Sequence, residues 1–500
     1  MKSAVGAGIF QHFLSLSPAE FSHFNSNKNL NQFSRFQCNS SISFPSRLGP
    51  DSKHRGFLSS TLIPSASASS IGGSSADYSE QLLDAQRKQK RKRRIAGVDQ
   101  DELVEPTVLA DPDSCFCEFR GVQIHYKVYD GESQANGLLQ TQATMSNQTK
   151  KVGLPMILLH GFGASVFSWN RVMKPLAGVT GSKVLAFDRP AFGLTSRVNL
   201  SELHSASGNG DSKPLNPYSM AFSVLATLYF IDSLAAEKAI IVGHSAGSLV
   251  AVNTYFEAPE RVAALILVAP AILAPVTAPK VAKGNQVGRE RQLEEENSST
   301  NILGNPFIQL YNILSKFTKV VVDAIIGLVK GMAVMINSLY KKLLSSILRS
   351  AFAVTLVRTI IDKLGIPAVR NSWHDPNQVT EHIINGYTKP LRTKSWDRAL
   401  VEFTAAMLTD TASESKGPLT KRLHEISCPV LIITGDNDRL VPSWNAVRLS
   451  RAIPGARLEV IKHCGHLPHE EKKDEFISVV QKFLQTVFGD SEEQRLQVVV

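Results

Sequence analysis

The sequence predicts an α/β fold in which a mostly parallel central sheet is flanked by helices and interrupted by a long helical insertion. Short apolar runs of the kind that form buried strands recur along the chain, among them Ala239–Val242 and Val430–Thr434. Helical segments follow several of these runs, as they do in parallel βαβ units. Hydrophobic residues occupy 43% of the 500 positions, which is ample for a sizeable core.

The first 75 residues are predicted to lie outside the fold. They contain only two acidic residues, Glu20 and Asp51, they are rich in Ser, and they lack a continuous apolar run. This composition is typical of an organellar transit peptide, and the abundance of Ser favours the chloroplast. We therefore expect residues 1–75 to be a removed leader, and the mature protein to lie in the stroma or on a plastid membrane. A disordered tail is the alternative.

A basic segment follows the leader. The sequence predicts a helix from Tyr78 to Arg94 that ends in the run Arg87–Arg94, a large part of the formal net charge of +10. Such a run could act as a nuclear localisation signal, bind nucleic acid or lie on an anionic membrane surface. No aromatic interleaving or nucleic-acid-binding motif accompanies it, so no nucleic acid is expected as a partner. We favour the membrane surface, with a solvated linker over residues 76–111 as the alternative.

The core is predicted in two parts, residues 112–274 and 418–489, followed by a tail over 490–500. The predicted elements of the first part, apart from the strand before the Gly243–Gly247 turn, are the strands Cys115–Arg120 and Val122–Tyr129, a polar loop over Asp130–Lys151, the strands Pro155–Leu159 and Val184–Phe187, the helix Tyr218–Ala235 and the strand Leu265–Val268. Those of the second part are the strands Val430–Thr434 and Leu458–Ile461 and the helices Ser443–Ile453 and Glu470–Val487.

One turn in the first part carries a candidate nucleophile. The pentapeptide Gly243–Gly247, of the pattern G-x-S-x-G, lies between the apolar run Ala239–Val242 and a helical segment. A strand-to-helix turn of this kind is sharp, and its glycines remove Cβ atoms that would clash, so the serine is left at the tip. Ser245 is therefore the candidate nucleophile, and a small residue at a tight turn is the alternative.

A nucleophilic serine needs a base, and the base needs a group that orients it. One loop after a predicted strand offers Asp436 and Asp438, and a later loop offers His463, His466 and His469. The chain order is thus Ser, then Asp, then His, whichever members of each loop take part.

With this order and these motifs, the chain resembles the α/β-hydrolase superfamily over most of residues 112–274 and 418–489. The resemblance favours His466, which follows a Gly and precedes Pro468 and Glu470, over the other two histidines. The D-x-x-V-P pattern likewise favours Asp438 as the orienting carboxylate, and Asp436 is expected to cap its turn or the next helix.

The resemblance also implies an oxyanion hole made by the backbone N–H groups of Phe162 and Ala246. The turn Gly243–Gly247 corresponds to the family's nucleophile elbow, called the elbow below. The residues expected to support the oxyanion hole and the elbow are His160, Gly161, Gly243, His244 and Gly247, with His244 shaping the pocket wall. The segment Val184–Gly193 resembles the strand and loop that the family places beside this site. Neither a metal nor an organic cofactor is implied.

Residues 275–417 interrupt the core, and the resemblance implies that such an insertion forms a helical cap over the site. A polar loop, Lys280–Thr300, opens this segment, which is strongly apolar from Ile302 to Ile366. The polar residues of the apolar part recur at helical spacings and fall on one narrow stripe, namely Lys316, Lys319, Asp323, Lys330, Asn337, Lys341, Ser345 and Arg349. Such a helix is better suited to lie in a membrane interface than to span a membrane. The alternative is a cap that packs internally or against a second copy.

The resemblance implies a carboxylic-ester hydrolase that acts on a hydrophobic ester, such as a lipid, an acylglycerol or a phytyl-type ester. Plastid relatives that dephytylate chlorophyll or cleave lipids look similar in overall pattern. Ser245 at the elbow, where the epoxide-hydrolase and dehalogenase branches carry Asp, argues against those branches. Two other classes stay open, a receptor that retains the triad and an acyltransferase that uses it.

Overall fold

The computed structural model of the protein describes residues 94–131, 152–200, 215–274, 332, 335–409 and 418–489. The predicted transit peptide, the predicted helix from Tyr78 as far as residue 93, most of the polar loop after Asp130, the first part of the apolar cap segment and the tail lie outside these residues.

Eight strands of the described chain form one sheet. The strands of the whole described chain are β1 Arg94–Ile95, β2 Val98–Asp99, β3 Cys115–Phe119, β4 Val122–Asp130, β5 Met156–Leu159, β6 Lys183–Phe187, β7 Ala239–His244, β8 Val262–Val268, β9 Val430–Gly435 and β10 Arg457–Ile461. The sheet order is β10-β9-β8-β7-β5-β6-β4-β3, with β1 and β2 forming a separate hairpin. Only the β3–β4 and β4–β6 pairs of the large sheet are antiparallel, which confirms the mostly parallel sheet predicted from the sequence.

Helices cover both faces of the sheet. The helices of the core are α1 Asn170–Thr180, α2 Met220–Ser233, α3 Gly247–Glu257, α8 Leu419–Arg422, α9 Ser443–Ala452, α10 Pro468–Glu471 and α11 Lys473–Phe488. Alternate residues of β7 show why its sequence is apolar throughout, because Ile241 packs on the face covered by α2, α3 and α9, and Ile240 and Val242 pack on the face covered by α1 and α11.

The strand ends determine where a site can form. The central strands run parallel, so the residues that follow β5, β7, β9 and β10 all emerge at the carboxyl edge of the sheet. In α/β sheets this edge is where ligands bind. The loops that carry His160, Ser245, Asp438 and His466 therefore meet there.

The predicted cap region contains four helices in its described part. They are α4 Met335–Leu348, α5 Ala351–Asn371, α6 Glu381–Thr388 and α7 Trp396–Thr409. No single described helix has both the length and the hydropathy needed to cross a membrane, although α4 and α5, bent by 63° at their junction, meet those criteria as a pair.

Residues 94–111, predicted as the end of a basic helix and a linker, differ from that expectation. Arg94 and Ile95 form a strand with Val98 and Asp99, and the segment packs against the cap. The backbone N–H of Ala96 donates to Asp362 Oδ1 at 3.1 Å, and the Trp396 indole donates to Gln100 Oε1 at 2.9 Å. These tertiary contacts explain the difference, because a two-residue strand has no period that a sequence pattern could reveal.

Candidate active site

Ser245 lies at the tip of a sharp strand-to-helix turn. Its φ of 49° falls in the left-handed region, which a non-glycine residue adopts only when the surrounding structure fixes it. A side chain at Gly247 would place its Cβ 2.2 Å from the Leu159 carbonyl oxygen, and one at Gly243 would lie 2.6 Å from the Gly247 oxygen. Both positions therefore require glycine, and the Ser245 N–H is fixed by donation to the Val268 carbonyl at 2.8 Å.

His466 and Asp438 form a buried pair. His466 Nδ1 lies 2.7 Å from Asp438 Oδ2, and Asp438 Oδ1 accepts from the N–H groups of Leu440 and Val441, both at 2.8 Å. An ionised carboxylate only accepts hydrogen bonds, so Nδ1 carries the ring proton and donates a hydrogen bond to Asp438. That tautomer leaves Nε2 of His466 able to accept a proton.

The competing residues of the two loops have other surroundings. Asp436 Oδ1 accepts from the Asn437 amide at 2.7 Å and from the Cys464 N–H at 3.3 Å, so it caps its own turn. His463 is exposed. His469 is buried with its ring 4.2 Å from that of Trp169, and burial lowers its pKa to about 3. It is therefore a neutral packing group.

His244 connects the elbow to the His466 loop. Its Nε2 lies 3.0 Å from the His466 carbonyl oxygen, to which it donates, and the two rings are 4.9 Å apart. Burial holds the pKa of His244 well below its ordinary value, so the ring is neutral. Gly161 packs against both residues of the elbow, since a Cβ there would lie 2.9 Å from His244 Nδ1 and 3.2 Å from Ser245 Cβ. His244 thus joins the turn to the backbone of His466, and its role in shaping the pocket wall stays a prediction.

His160 orients the peptide that carries the first predicted oxyanion donor. Its Nδ1 lies 2.8 Å from the Gly161 carbonyl oxygen, and its Nε2 accepts from the Arg189 N–H at 3.1 Å. Burial, aided by the Arg189 charge, lowers the pKa of His160 to about 3, so Nδ1 donates as a neutral imidazole. Because the peptide bond is planar and trans, fixing the Gly161 carbonyl directs the Phe162 N–H the opposite way.

The second predicted donor belongs to Ala246, the residue that caps the N-terminus of α3. The N–H groups at this end of a helix have no partner within the helix, and the helix dipole is positive there. Both features favour a developing negative charge.

Sequence reasoning gave no role to Asp188 or Arg189, although their loop was noted. Asp188 Oδ1 accepts from Val166 N–H at 2.6 Å, and Oδ2 accepts from Leu194 N–H at 2.7 Å. Burial opposes its charge, yet the neighbouring His125 and the backbone donors lower the pKa of Asp188 to about 2. The Arg189 guanidinium donates to the His160 carbonyl at 3.0 Å. Together they join the β6 loop to the loop of the predicted oxyanion hole.

A second Ser-His-Asp set occurs in the described chain. Ser114 Oγ lies 2.8 Å from His125 Nε2, and His125 Nδ1 lies 2.7 Å from Asp188 Oδ2. Ser114 lies just before β3 and not on a strand-to-helix turn. Ser245, by contrast, lies at the N-terminal end of α3, where the helix dipole is positive, and close to the glycines at positions 243 and 247. Contact distances alone would favour Ser114, because among the described contacts it is the Ser114 hydroxyl that lies within hydrogen-bond distance of a histidine. The assignment of Ser245 rests instead on the backbone around the two serines.

Three aromatic rings join the oxyanion loop to the cap. Phe162 and Phe192 lie with ring centroids 5.5 Å apart, and Phe192 lies 4.8 Å from Phe403 of α7. Aromatic side chains therefore lie next to the first predicted oxyanion donor and join its loop to α7.

Comparison with known proteins agrees with this architecture. Residues 156–479 match the sequence model of the alpha/beta hydrolase family. The 2-hydroxy-6-oxo-6-phenylhexa-2,4-dienoate hydrolase of Comamonas testosteroni is 24% identical over 334 residues, which cover 66% of this chain and 88% of that protein. An uncharacterized hydrolase, YugF, of Bacillus subtilis is 20% identical over 64% of this chain and 85% of that protein. Among solved structures, a thermophilic esterase from Thermogutta terrifontis aligns at 16% identity with a TM-score of 0.43, over 75% of this chain and 99% of that one.

Proposed function

The chain belongs to the α/β-hydrolase family, and from that premise we propose that it is a serine hydrolase that cleaves a hydrophobic carboxylic ester. One observation carries the proposal. The same edge of the sheet holds Ser245, with its backbone in the left-handed region, and the His466 ring, which is hydrogen-bonded to Asp438 at 2.7 Å. The order of the three residues along the chain supports the same assignment.

The proposed reaction follows from these contacts. Ser245 Oγ attacks the ester carbonyl while His466 Nε2 takes the serine proton, and Asp438 stabilises the imidazolium that forms. The tetrahedral oxyanion accepts hydrogen bonds from the N–H groups of Phe162 and Ala246, and each such donor is typically worth about 3–4 kcal/mol in the transition state. His466 returns the proton to the leaving alcohol, and water activated by His466 then releases the acid from Ser245.

The apolar character of the substrate is inferred from the cap. Phe162, Phe192 and Phe403 supply aromatic surface next to the proposed oxyanion donors, and burial of apolar substrate surface stabilises a complex by about 25 cal/mol per Å². A lipid, acylglycerol or phytyl-type ester fits this surface better than a small polar ester does.

We further propose that the cap docks on an anionic membrane. Helix α4 supports this, because many of its apolar side chains are exposed, with Leu343 at 62%. Lys341 and Ser345 of the polar stripe are half-buried, whereas Asn337 is exposed. Arg349, the last residue of that stripe, pairs with Glu402 of α7 at 2.9 Å. At Arg349 the stripe thus contacts the rest of the cap, while the exposed apolar side chains of α4 are available to a membrane.

The surface of α5 continues this face. Phe352, Leu356, Ile360 and Leu364 recur every fourth residue and are all exposed, with Phe352 at 69%. On the opposite side of the helix, Arg358 donates to Asp397 at 2.6 Å and Asp362 accepts from Ala96.

We propose a plastid location for the protein because of the composition of residues 1–75, and a fluorescent protein fused to that segment should enter chloroplasts.

Steady-state turnover tests the proposed function. The mature protein should hydrolyse p-nitrophenyl esters over many turnovers, with kcat/KM rising from acetyl to longer acyl chains. A single turnover would favour the receptor class, and transfer of the acyl group to an added alcohol in preference to water would favour the acyltransferase class. Ser245→Ala should remove turnover without changing the melting temperature, and turnover that survives this change would refute the serine mechanism.

A further inference from the structure

The residues that follow α5 contact both loops of the proposed triad. The His466 N–H donates to the Ser372 carbonyl at 2.6 Å. Gly465 packs directly against the same segment, because a Cβ there would lie 2.4 Å from the Ser372 oxygen and 2.7 Å from the His374 nitrogen. The backbone of the cap and the backbone of the proposed base are therefore in contact, with no side chain between them.

A carboxylate holds these two backbones together. Glu471 Oε2 accepts from the Gly465 N–H at 2.7 Å, and Oε1 accepts from the His374 N–H at 2.9 Å. The same Oε2 lies 3.1 Å from the His374 nitrogen, so it reaches both donors. Hydrogen bonds to an ionised acceptor are about twice as strong as neutral ones.

The Asp438 loop is attached to the same segment. Arg439, the residue after Asp438, donates to the carbonyl oxygens of Trp373 and His374 at 3.4 and 3.3 Å. Trp373 is buried in a cluster with Leu467, the residue after His466. The segment 372–374 thus contacts the loops of the base and of its orienting carboxylate.

We propose that Glu471 is a positioning residue for His466, which it ties through Gly465 to the cap residue His374. This inference rests on the proposed function, since it assumes that His466 is the base. Glu471 does not touch the reacting atoms in this account. It fixes the peptide bond between Cys464 and Gly465, one bond ahead of the Gly465–His466 peptide, and so restricts the direction in which the imidazole points.

The cost of losing this tie can be estimated. Without Glu471, the N–H groups of Gly465 and His374 lose an acceptor, and the loop must shift to satisfy them with water. A displacement of the base by about 1 Å can cost up to about 100-fold in rate. Because the ground-state substrate contacts lie elsewhere, we expect the loss in kcat and not in KM.

Three variants test the proposal with a short soluble p-nitrophenyl ester as the probe. Glu471→Ala removes both acceptors and should lower kcat at least about tenfold, with KM within about threefold of the wild type. Glu471→Gln can place its amide oxygen where Oε2 lies, within reach of the Gly465 and His374 N–H groups, but its amide nitrogen then takes the place of Oε1 and that hydrogen bond is lost. It should therefore recover part of the kcat that Glu471→Ala loses. Glu475→Ala, an exposed glutamate one turn further along, is the matched control and should behave as the wild type.

The melting temperature of every variant is measured alongside, and so is the activity of His466→Ala. If Glu471→Ala keeps kcat within about twofold, or if Gln is no better than Ala, the positioning role is wrong. If Glu471→Ala does not fold, the test is the comparison of the folded Glu471→Gln variant with the wild type. In that comparison, an increase in KM with no change in kcat would overturn the proposal. If His466→Ala is itself active, the proposed function fails, which is distinguishable from a failure of the inference about Glu471.

Discussion

At the scale of single residues, the site depends on where protons and lone pairs lie. His160, His244 and His469 are all buried, and burial keeps the pKa of each below its ordinary value, so they serve as neutral donors or packing groups. Unlike these three, His466 has a carboxylate oxygen, Asp438 Oδ2, 2.7 Å from its Nδ1. The chemistry is therefore assigned by the surroundings of each ring and not by its type.

The Asp-His pair leads to a first prediction. Asp438→Asn keeps the acceptor for Leu440 and Val441 but can present an amide N–H to His466 Nδ1, which favours the wrong tautomer. The same change in a serine protease lowers kcat by about 10⁴-fold, so kcat should fall by orders of magnitude here, as it should for His466→Ala. Asp436→Asn and His463→Ala are the matched controls and should keep most of kcat, and a greater loss in either control than in its partner would reverse the assignment.

Glu470 leads to a prediction about pH. Burial raises its pKa to about 8, and the Tyr387 hydroxyl donates to its carboxyl group. Between its ordinary value of 4.5 and about 8, the folded state binds more protons than the unfolded state, so this group makes stability fall as pH rises. Glu470→Gln removes the titration, so its stability relative to the wild type should increase from pH 5 to 8, by about 1.4 kcal/mol for each pKa unit of the shift.

Urea unfolding of both proteins at several pH values measures this difference. Parallel stability curves for the wild type and the Gln variant would mean that Glu470 is already ionised in the folded state.

At the scale of elements, the turn between β7 and α3 is tightly constrained. The sequence could predict it because its cause is local, namely an apolar strand, two glycines and a helix within a few residues. Asp188 could not be predicted in the same way, since its role comes from donors at Val166, Leu194 and His125, which only the folded chain brings together. The direction of the polar stripe on α4 was equally inaccessible, because periodicity defines a face but not its neighbours.

Two glycines give a matched test of this element. Gly247→Ala would place a Cβ 2.2 Å from the Leu159 carbonyl oxygen, a backbone atom that cannot move without disturbing β5. We expect a loss of several kcal/mol, beyond the ordinary range of about 0.5–3 kcal/mol for a point mutation. Gly178→Ala in α1 meets no atom within 4 Å and should instead stabilise the protein by about 0.4–1 kcal/mol. Thermal or chemical unfolding measures both, and an equal effect at the two sites would contradict the close packing of the elbow.

At the scale of the whole molecule, an α/β core carries a cap whose described helices α4 and α5 expose many apolar side chains. Monomeric soluble proteins rarely expose large contiguous apolar patches, and such patches commonly mark a protein or membrane contact. The core resembles the sequence prediction because each buried strand is identified by its own residues. The N-terminal segment 94–111 does not, because its structure depends on contacts with distant parts of the chain, such as Asp362 and Trp396 of the cap and, through Asp111, Lys127 of β4.

The proposed membrane contact leads to a prediction for the mature protein. It should float with vesicles that contain anionic lipid, and binding should weaken but persist as salt is raised, since apolar burial is not screened. Phe352→Ser together with Leu356→Ser should reduce binding at every salt concentration, whereas Lys341→Glu with Lys342→Glu should reduce mainly the salt-sensitive part. Hydrolysis of a short soluble ester should survive in both. A protein that never floats and forms a dimer that these Ser changes dissociate would indicate a second copy as the occupant.

The central claim is that Ser245, and no other serine, is the nucleophile, and covalent labelling tests it most directly. A fluorophosphonate forms a bond from the serine oxygen to phosphorus with loss of fluoride, and mass spectrometry of the digested protein identifies the labelled peptide. The label should reside on the peptide with Ser245, Ser245→Ala should abolish labelling, and Ser114→Ala, which removes the hydroxyl next to His125, should label at the wild-type rate. If labelling persists in Ser245→Ala at the wild-type rate, or disappears in a folded Ser114→Ala, Ser245 is not the nucleophile.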